Sequence, residues 1–205
     1  MSSRLLIATG NRGKVQEIRQ GLDGVDYEVI STQDLNPVPA EPAEIFQTFA
    51  ENAILKARYY RRISGHLSLA DDSGLVVDAL GGRPGVHSAR YAGPNASPTD
   101  LINKLLTELA GVPWEKRSAR FVCAIAISGP GFERVFEGTC EGLITLEQRG
   151  AGGFGYDPVF YYPGLERTFA EMTIAEKSSR SHRGRALTLA RDVLVHFKDA
   201  GRGLT

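Results

Sequence analysis

Four short segments carry residue types that could handle a phosphorylated substrate. Ala70-Asp71-Asp72-Ser73-Gly74-Leu75 sets two adjacent carboxylates behind the apolar run Leu67-Ser68-Leu69-Ala70. A buried carboxylate pair is unfavourable unless water, a metal, cations or hydrogen bonds compensate it. One aspartate could coordinate Mg2+ while the other positions and deprotonates water, since hard cations favour carboxylate oxygens and metal-bound phosphate disperses developing charge. Glu44, in the loop before a predicted helix, is a third carboxylate of the same kind. The same spacing also suits a turn cap or a solvated acidic pair. Thr9-Gly10-Asn11-Arg12-Gly13-Lys14 follows Leu5-Leu6-Ile7-Ala8 and reads as a strand-to-helix turn. Its backbone N–H groups can surround an anion, with Lys14 as a mobile point charge. It has neither the Walker spacing nor the dinucleotide glycine pattern, so an ordinary turn stays open.

The third segment, Gly150 to Pro158, places Phe154, Tyr156 and Asp157 in backbone with little bulk. Phe154 either plugs the core or offers its face to a purine, with nearby backbone or Asp157 reading the edge. Gly152 and Gly153 permit a close backbone approach. The fourth, Glu176 to Arg191, carries Lys177, Arg180, Arg183, Arg185 and Arg191. Either it is a solvated helix start, or Lys177, His182 and Arg183 meet a phosphate or a ring carbonyl as exposed cations and donors.

The elements that must hold these segments are α/β in type. Leu5 to Ala8 reads as a buried strand and Lys14 to Leu22 as a helix, because Val15, Ile18 and Leu22 recur at helical spacing. Tyr27 to Ile30 alternates like a strand, and three prolines make Leu35 to Pro42 an irregular connection. Thr48 to Tyr60 predicts a helix capped by Thr48, with Glu51 at the reciprocal capping-box position. Lys56 lies beside its packed face, from which an ammonium can reach an adjoining cleft. Leu67 to Ala70 and Gly74 to Leu80 predict strand segments flanking the Asp pair, and Gly81 to Gly85 a turn. A helix from Thr99-Asp100 carries Leu101, Leu105 and Leu109. Arg120 to Ile127 and Phe132 to Thr139 make a hairpin about Gly129-Pro130-Gly131, and Gly142 to Leu146 continues the sheet. A last helix runs from about Arg185 to His196, and Gly201 to Thr205 is a frayed tail.

A chain of 205 residues can bury a substantial core, which predicts one domain over residues 1–205, with two lobes about a cleft as its variant. The 24 basic and 24 acidic side chains cancel, so no global field draws the chain to nucleic acid or to an anionic membrane, and neither partner is expected. Cys123 and Cys140 read as reduced and structural. The four-residue apolar run before Thr9 is too short for a signal-peptide core or a span, so the expected compartment is the cytoplasm.

In combination the segments resemble the inosine triphosphate pyrophosphatase family, and most of all its bacterial branch acting on dITP, ITP and XTP. The resemblance rests on Thr9-Gly10-Asn11 with Lys14, Phe49-Ala50-Glu51-Asn52-Ala53 with Lys56, and Ala70 to Leu75. It continues through Gly81 to Gly85 with Ser88-Ala89-Arg90-Tyr91, Gly153 to Pro158, and Ser181-His182-Arg183-Gly184, nearly the whole chain in order. It implies an α/β fold with an elongated mixed β-sheet, flanking helices and two lobes around a nucleotide cleft, assembled as a homodimer. It also implies Mg2+-dependent hydrolysis of a purine nucleoside triphosphate to monophosphate and pyrophosphate. By that similarity Thr9, Gly10, Asn11 and Lys14 bind the triphosphate, aided by Lys56. Glu44 and Asp72 hold the metal, Asp72 is the general base, and Asp71 and Lys14 assist catalysis. Phe154 stacks on the base, and Ser73, Gly155, Tyr156, Asp157, Lys177, His182 and Arg183 complete the substrate contacts. The chain departs from the family at Glu44-Ile45-Phe46, where Glu-Thr-Gly is common. Two other readings use the same residues: a related pyrophosphatase for modified pyrimidine triphosphates, and a nucleotide-binding protein without turnover.

Overall fold

In the computed structural model, which describes residues 4–202, the strands and helices follow in the order β1 (Arg4–Ile7), α1 (Arg12–Gly21), β2 (Glu28–Ser31), α2 (Phe49–Ser64), β3 (Leu67–Val77), α3 (Pro98–Glu108), β4 (Ser118–Gly129), β5 (Phe132–Ile144), β6 (Phe160–Tyr162), β7 (Arg167–Thr168), α4 (Ile174–Ser178) and α5 (His182–Arg202). The seven strands are hydrogen-bonded in the order β2-β1-β3-β4-β5-β6-β7. β1 pairs in parallel with β2 and β3, while β6 is antiparallel to both β5 and β7, so the sheet is mixed. The chain divides into two compact units. The first comprises the chain through Asp72, Cys123–Gly138 and the chain from Arg183 onward; the second comprises Ser73–Val122 and Thr139–His182.

Strand alternation organises the first unit, because successive side chains point to opposite faces. Leu5, Ile7, Leu69, Cys123, Ile125 and Ile127 pack with Ile18 and Leu22 of α1 and with Leu187, Ala190 and Leu194 of α5. Leu6, Ala8, Ala70, Ala124 and Ala126 pack with Ala53, Ala57 and Tyr60 of α2. Large aliphatic residues therefore face α1 and α5, and mostly alanines face α2. In the second unit Leu101, Leu105 and Leu109, at helical spacing along and just beyond α3, pack with Leu75, Val77, Phe121, Phe160 and Phe169.

β3 differs from the expectation, running unbroken from Leu67 to Val77 through Asp71 and Asp72. Two aspartates are poor strand residues, but paired cations override propensity here. α1 starts two residues early because the Asn11 side chain accepts a hydrogen bond from the Lys14 N–H (3.1 Å), so the cap lies inside the Thr9–Lys14 turn. Ser97 and Asp100 form a reciprocal capping box with Pro98 at the first helical position, which starts α3 just before Thr99. Thr48 caps α2 as expected, although the Glu51 carboxylate accepts from the Thr48 hydroxyl (2.5 Å). α5 begins at His182 and runs to Arg202; the rest of the expected tail, 203–205, lies outside the described residues. Cys123 and Cys140 are free and buried. Among the described residues no helix is long and apolar enough to cross a membrane.

Candidate active site

The alternation of β3 decides what each aspartate meets. Asp71 has the parity of Leu69 and so belongs to the α1 and α5 side; Asp72 has that of Ala70 and belongs to the α2 side. Asp71 Oδ2 lies 3.2 Å from Lys14 Nζ and accepts from Arg183 Nη2 at 2.9 Å and Nε at 3.2 Å. Arg183 Nη1 also donates to Glu17 of α1. On the other side, Lys56 Nζ donates to Asp72 Oδ1 at 3.3 Å and to Glu44 Oε1 at 2.9 Å. Lys56, Asp71, Asp72 and Arg183 are all at least 97% buried. The expectation of exposed cations after Glu176 therefore does not hold for Arg183, which is inside because two carboxylates compensate it.

Four carboxylates, Glu17, Glu44, Asp71 and Asp72, thus face three cations, Lys14, Lys56 and Arg183. The imbalance falls on Asp72. Burial pushes its carboxyl up to about 6, Glu44 and Asp71 push the same way, and Lys56 and Lys14 only partly offset them. Burial also opposes ionisation of Asp71, but Lys14, Arg183 and Lys56 outweigh it and hold that carboxyl below the ordinary range. For Lys56 the three acids Asp72, Asp71 and Glu44 overcome burial and keep the ammonium charged well past its ordinary pKa. Two adjacent aspartates are thereby differentiated into a fixed anion and a group able to exchange a proton near neutral pH. Asp72 Oδ2 is buried with no hydrogen-bond partner.

The loops around this cluster are held from behind. Thr9 is buried, its hydroxyl accepting from the Asn11 N–H (3.2 Å) and its carbonyl from the Thr32 hydroxyl (3.1 Å), while Gly10 and Asn11 are exposed. At the departure from the family pattern, the fully buried Asn52 accepts from the Phe46 N–H (3.0 Å) and donates to the Phe46 carbonyl (3.2 Å). Ile45 and Phe46 point their bulk into the exposed surface, and the Glu44 carboxylate still reaches Lys56. Ser73 continues β3 and is half-buried.

The second unit carries the aromatic segment. Asp157 Oδ2 accepts from the Phe154 N–H (2.7 Å) and from Lys177 Nζ (2.5 Å), and the ammonium lies 4.6 Å from the centre of the Phe154 ring. Asp157 and Lys177 are buried, whereas Phe154 and Gly155 are half-buried. Gly153 has φ +71°, and a Cβ there would sit 2.1 Å from Asp157 Oδ2. Its missing side chain makes room for the protein's own carboxylate. The Tyr156 hydroxyl donates to the Ser88 carbonyl (2.9 Å), and burial raises the phenol above its ordinary pKa. His182 stacks on Phe121, ring centres 4.7 Å apart and 12° from parallel.

Glu17 escaped the sequence reading. It is three residues from Lys14 and one before Ile18, which puts an acid beside the packed stripe of α1, and that was the available signal. Among the described residues no group of three or more His, Cys, Asp or Glu side chains is arranged to hold a metal ion.

The model of the Ham1 family matches residues 5–193. The chain is 49% identical over 193 residues to the dITP/XTP pyrophosphatase of Geobacter sulfurreducens, covering 94% of this chain and 96% of that one. It is 53% identical over 185 residues to the protein of the same name in Geobacillus kaustophilus, covering 90% of each. Among solved structures, the Ham1 protein of Staphylococcus aureus superposes with a TM-score of 0.83 at 41% identity, over 94% of this chain and 98% of that one. A HAM1 protein from Coxiella burnetii gives 0.85 at 39% identity, over 95% and 99%.

Proposed function

Because the chain belongs to the Ham1 family, we propose that it clears dITP, ITP and XTP from the cytoplasmic nucleotide pool by hydrolysing them to the nucleoside monophosphate and pyrophosphate. The observation that carries the chemistry is Asp72, a buried carboxyl lifted to about 6 with one oxygen unpartnered. At neutral pH it is ionised yet basic enough to take a proton from water attacking the alpha phosphorus. Lys14 and Lys56 then balance charge on the departing pyrophosphate. Thr9, Gly10 and Asn11 contribute hydroxyl and backbone donors to the triphosphate, and Asp71 keeps Lys14 in place.

The resemblance implies Mg2+, and the donor set fits it: hard oxygens, one negative charge in excess and the unpartnered Asp72 Oδ2. Glu44 and Asp72 would hold the ion, which would supply positive charge for the phosphate oxygens. The base stacks against Phe154. Asp157 and Lys177 fix this loop, Tyr156 ties it to the Ser88 carbonyl, His182 packs on Phe121, and Arg183 holds Asp71 in place beside Lys14, with Ser73 and Gly155 beside the sugar and base. A 6-oxo purine offers an acceptor to N–H donors after Phe154, whereas adenine offers a donor and is refused. The chain works as a homodimer, which sedimentation would test. Incubation with dITP and Mg2+ should yield dIMP and pyrophosphate, and stepwise release of orthophosphate would exclude the mechanism. A panel of dITP, XTP, dUTP, dTTP, ATP and GTP separates this reading from a modified-pyrimidine pyrophosphatase.

A further inference from the structure

Within the first unit, an open surface hollow of about 400 Å3 is lined by Arg58 and Arg61 of α2 and by Ser128, Gly129, Gly131, Phe132 and Glu133 at the β4–β5 turn, and by none of the residues that touch Asp72. A second hollow of about 340 Å3 shares Arg58, Arg61 and Ser128 with it and adds Arg62 and Gly65. The hollow exists because the row facing α2 on β4 is small, Ala124, Ala126 and then Ser128, and because glycines flank the turn.

Arg58, Arg61 and Arg62 fall at i, i+3 and i+4, so their guanidinium groups crowd one helical face, where like charges repel. Arg58 is matched by Glu133 through two 2.7 Å bonds. Among the described residues Arg61 and Arg62 make no side-chain hydrogen bond or ion pair. Ser128 is 98% buried and lines both hollows, and its hydroxyl likewise has no hydrogen-bond partner among the described residues. Placement at the end of α2 suits cations in general, but it accounts neither for the hollow nor for the serine that lines it.

We infer that the second hollow, continuous with the first through Arg58, Arg61 and Ser128, is a non-catalytic binding site for an oligophosphate anion, seated between the Arg61 and Arg62 guanidinium groups and the Ser128 hydroxyl. Two guanidinium forks on one side of the hollow suit a ligand with at least two negative charges, which a single carboxylate lacks and a pyrophosphate or triphosphate group carries. The hollow is an open depression of about 340 Å3, with room for more than one phosphate at the surface. The inference does not depend on the proposed activity, although that reaction would release one of the two candidate ligands.

The test is titration of the full-length, 15N-labelled chain, in chelator, with inorganic pyrophosphate and separately with ATP, following the amides of Gly65, Gly129 and Gly131. Saturable shifts there are expected, at least about tenfold weaker in Arg61→Ser/Arg62→Ser and weakened in Ser128→Ala. Turnover of dITP by these variants should stay within about twofold of the parent, which also verifies folding. Saturation by pyrophosphate alone identifies a bare oligophosphate as the ligand; saturation by both identifies the triphosphate moiety in general. Absence of saturable shifts, equal shifts in the arginine variant, or equal response to citrate would overturn the inference.

Discussion

Replacing Asp72 with Asn should make the protein more stable and a far weaker catalyst at once. The Asp72 carboxyl rises from an ordinary 3.8 to about 6 on folding. Between those values the folded protein keeps a proton that the unfolded chain releases, so stability falls as pH climbs through this window. The full penalty is about 3 kcal/mol above pH 7 and roughly half of that at pH 5. The carboxamide of the variant would be neutral throughout and nearly isosteric, so it escapes the penalty. In urea unfolding with chelator present, Asp72→Asn should exceed the parent by about 3 kcal/mol at pH 8, narrowing steadily toward pH 4. For a chain of this size that corresponds to a midpoint roughly 6–12 °C higher. Turnover of dITP should fall by about 10²–10⁴, the usual contribution of a positioned base. A variant no more stable than the parent at pH 8, or a gap independent of pH, would refute the claim that burial strains Asp72.

Three further substitutions probe the supporting contacts. Lys56→Met removes the nearest cation from Asp72, so the acid limb of kcat/KM should move up by about one to three pH units; loss of phosphate binding alone would lower kcat/KM at every pH without moving the limb. Lys177→Met leaves Asp157 buried without its ammonium and should destabilise by about 3–5 kcal/mol in urea titration, much of it restored by adding Asp157→Asn. Gly153→Ala forces a Cβ into a left-handed backbone and against Asp157 Oδ2; a loss of at least about 1 kcal/mol and a raised KM for dITP are expected from thermal melts and steady-state kinetics.

Much of this architecture was legible because periodicity reports burial directly. Val15, Ile18 and Leu22 marked α1, Thr48 marked the start of α2, and the Gly129-Pro130-Gly131 turn marked the boundary between β4 and β5. Boundaries slipped where a side chain rather than a pattern set them, as with the Asn11 cap two residues ahead of the expected start of α1. The family motifs located the segments of the candidate site but not their wiring. Lys177, His182 and Arg183 read as exposed because charged residues usually are, whereas here carboxylates distant in sequence, Asp157, Asp71 and Glu17, draw two of them inside. Such pairs span 20 to 166 positions and leave no local trace.

The least legible feature was the division of labour between Asp71 and Asp72, which depends on β3 running without a break. Had the strand paused at the pair, both carboxylates could have turned to one side, sharing cations and a single environment. With the strand continuous, a one-residue step carries the chain from the aliphatic face, where Lys14 and Arg183 wait, to the alanine face, where Lys56 and Glu44 wait. The small side chains of Ala53, Ala57, Ala70 and Ala124 let α2 pack close to the sheet, so the Lys56 ammonium stays next to Asp72 and inside the protein. The proton affinity of Asp72 therefore follows from the alanines as much as from the charges: enlarging Ala57 would push α2 outward, lengthen the 3.3 Å contact and raise the Asp72 carboxyl further without altering any ionisable residue. Ala57→Val should accordingly shift the acid limb of kcat/KM upward, in the direction of Lys56→Met but by less, and a limb left in place by a folded variant would break this link between packing and proton affinity.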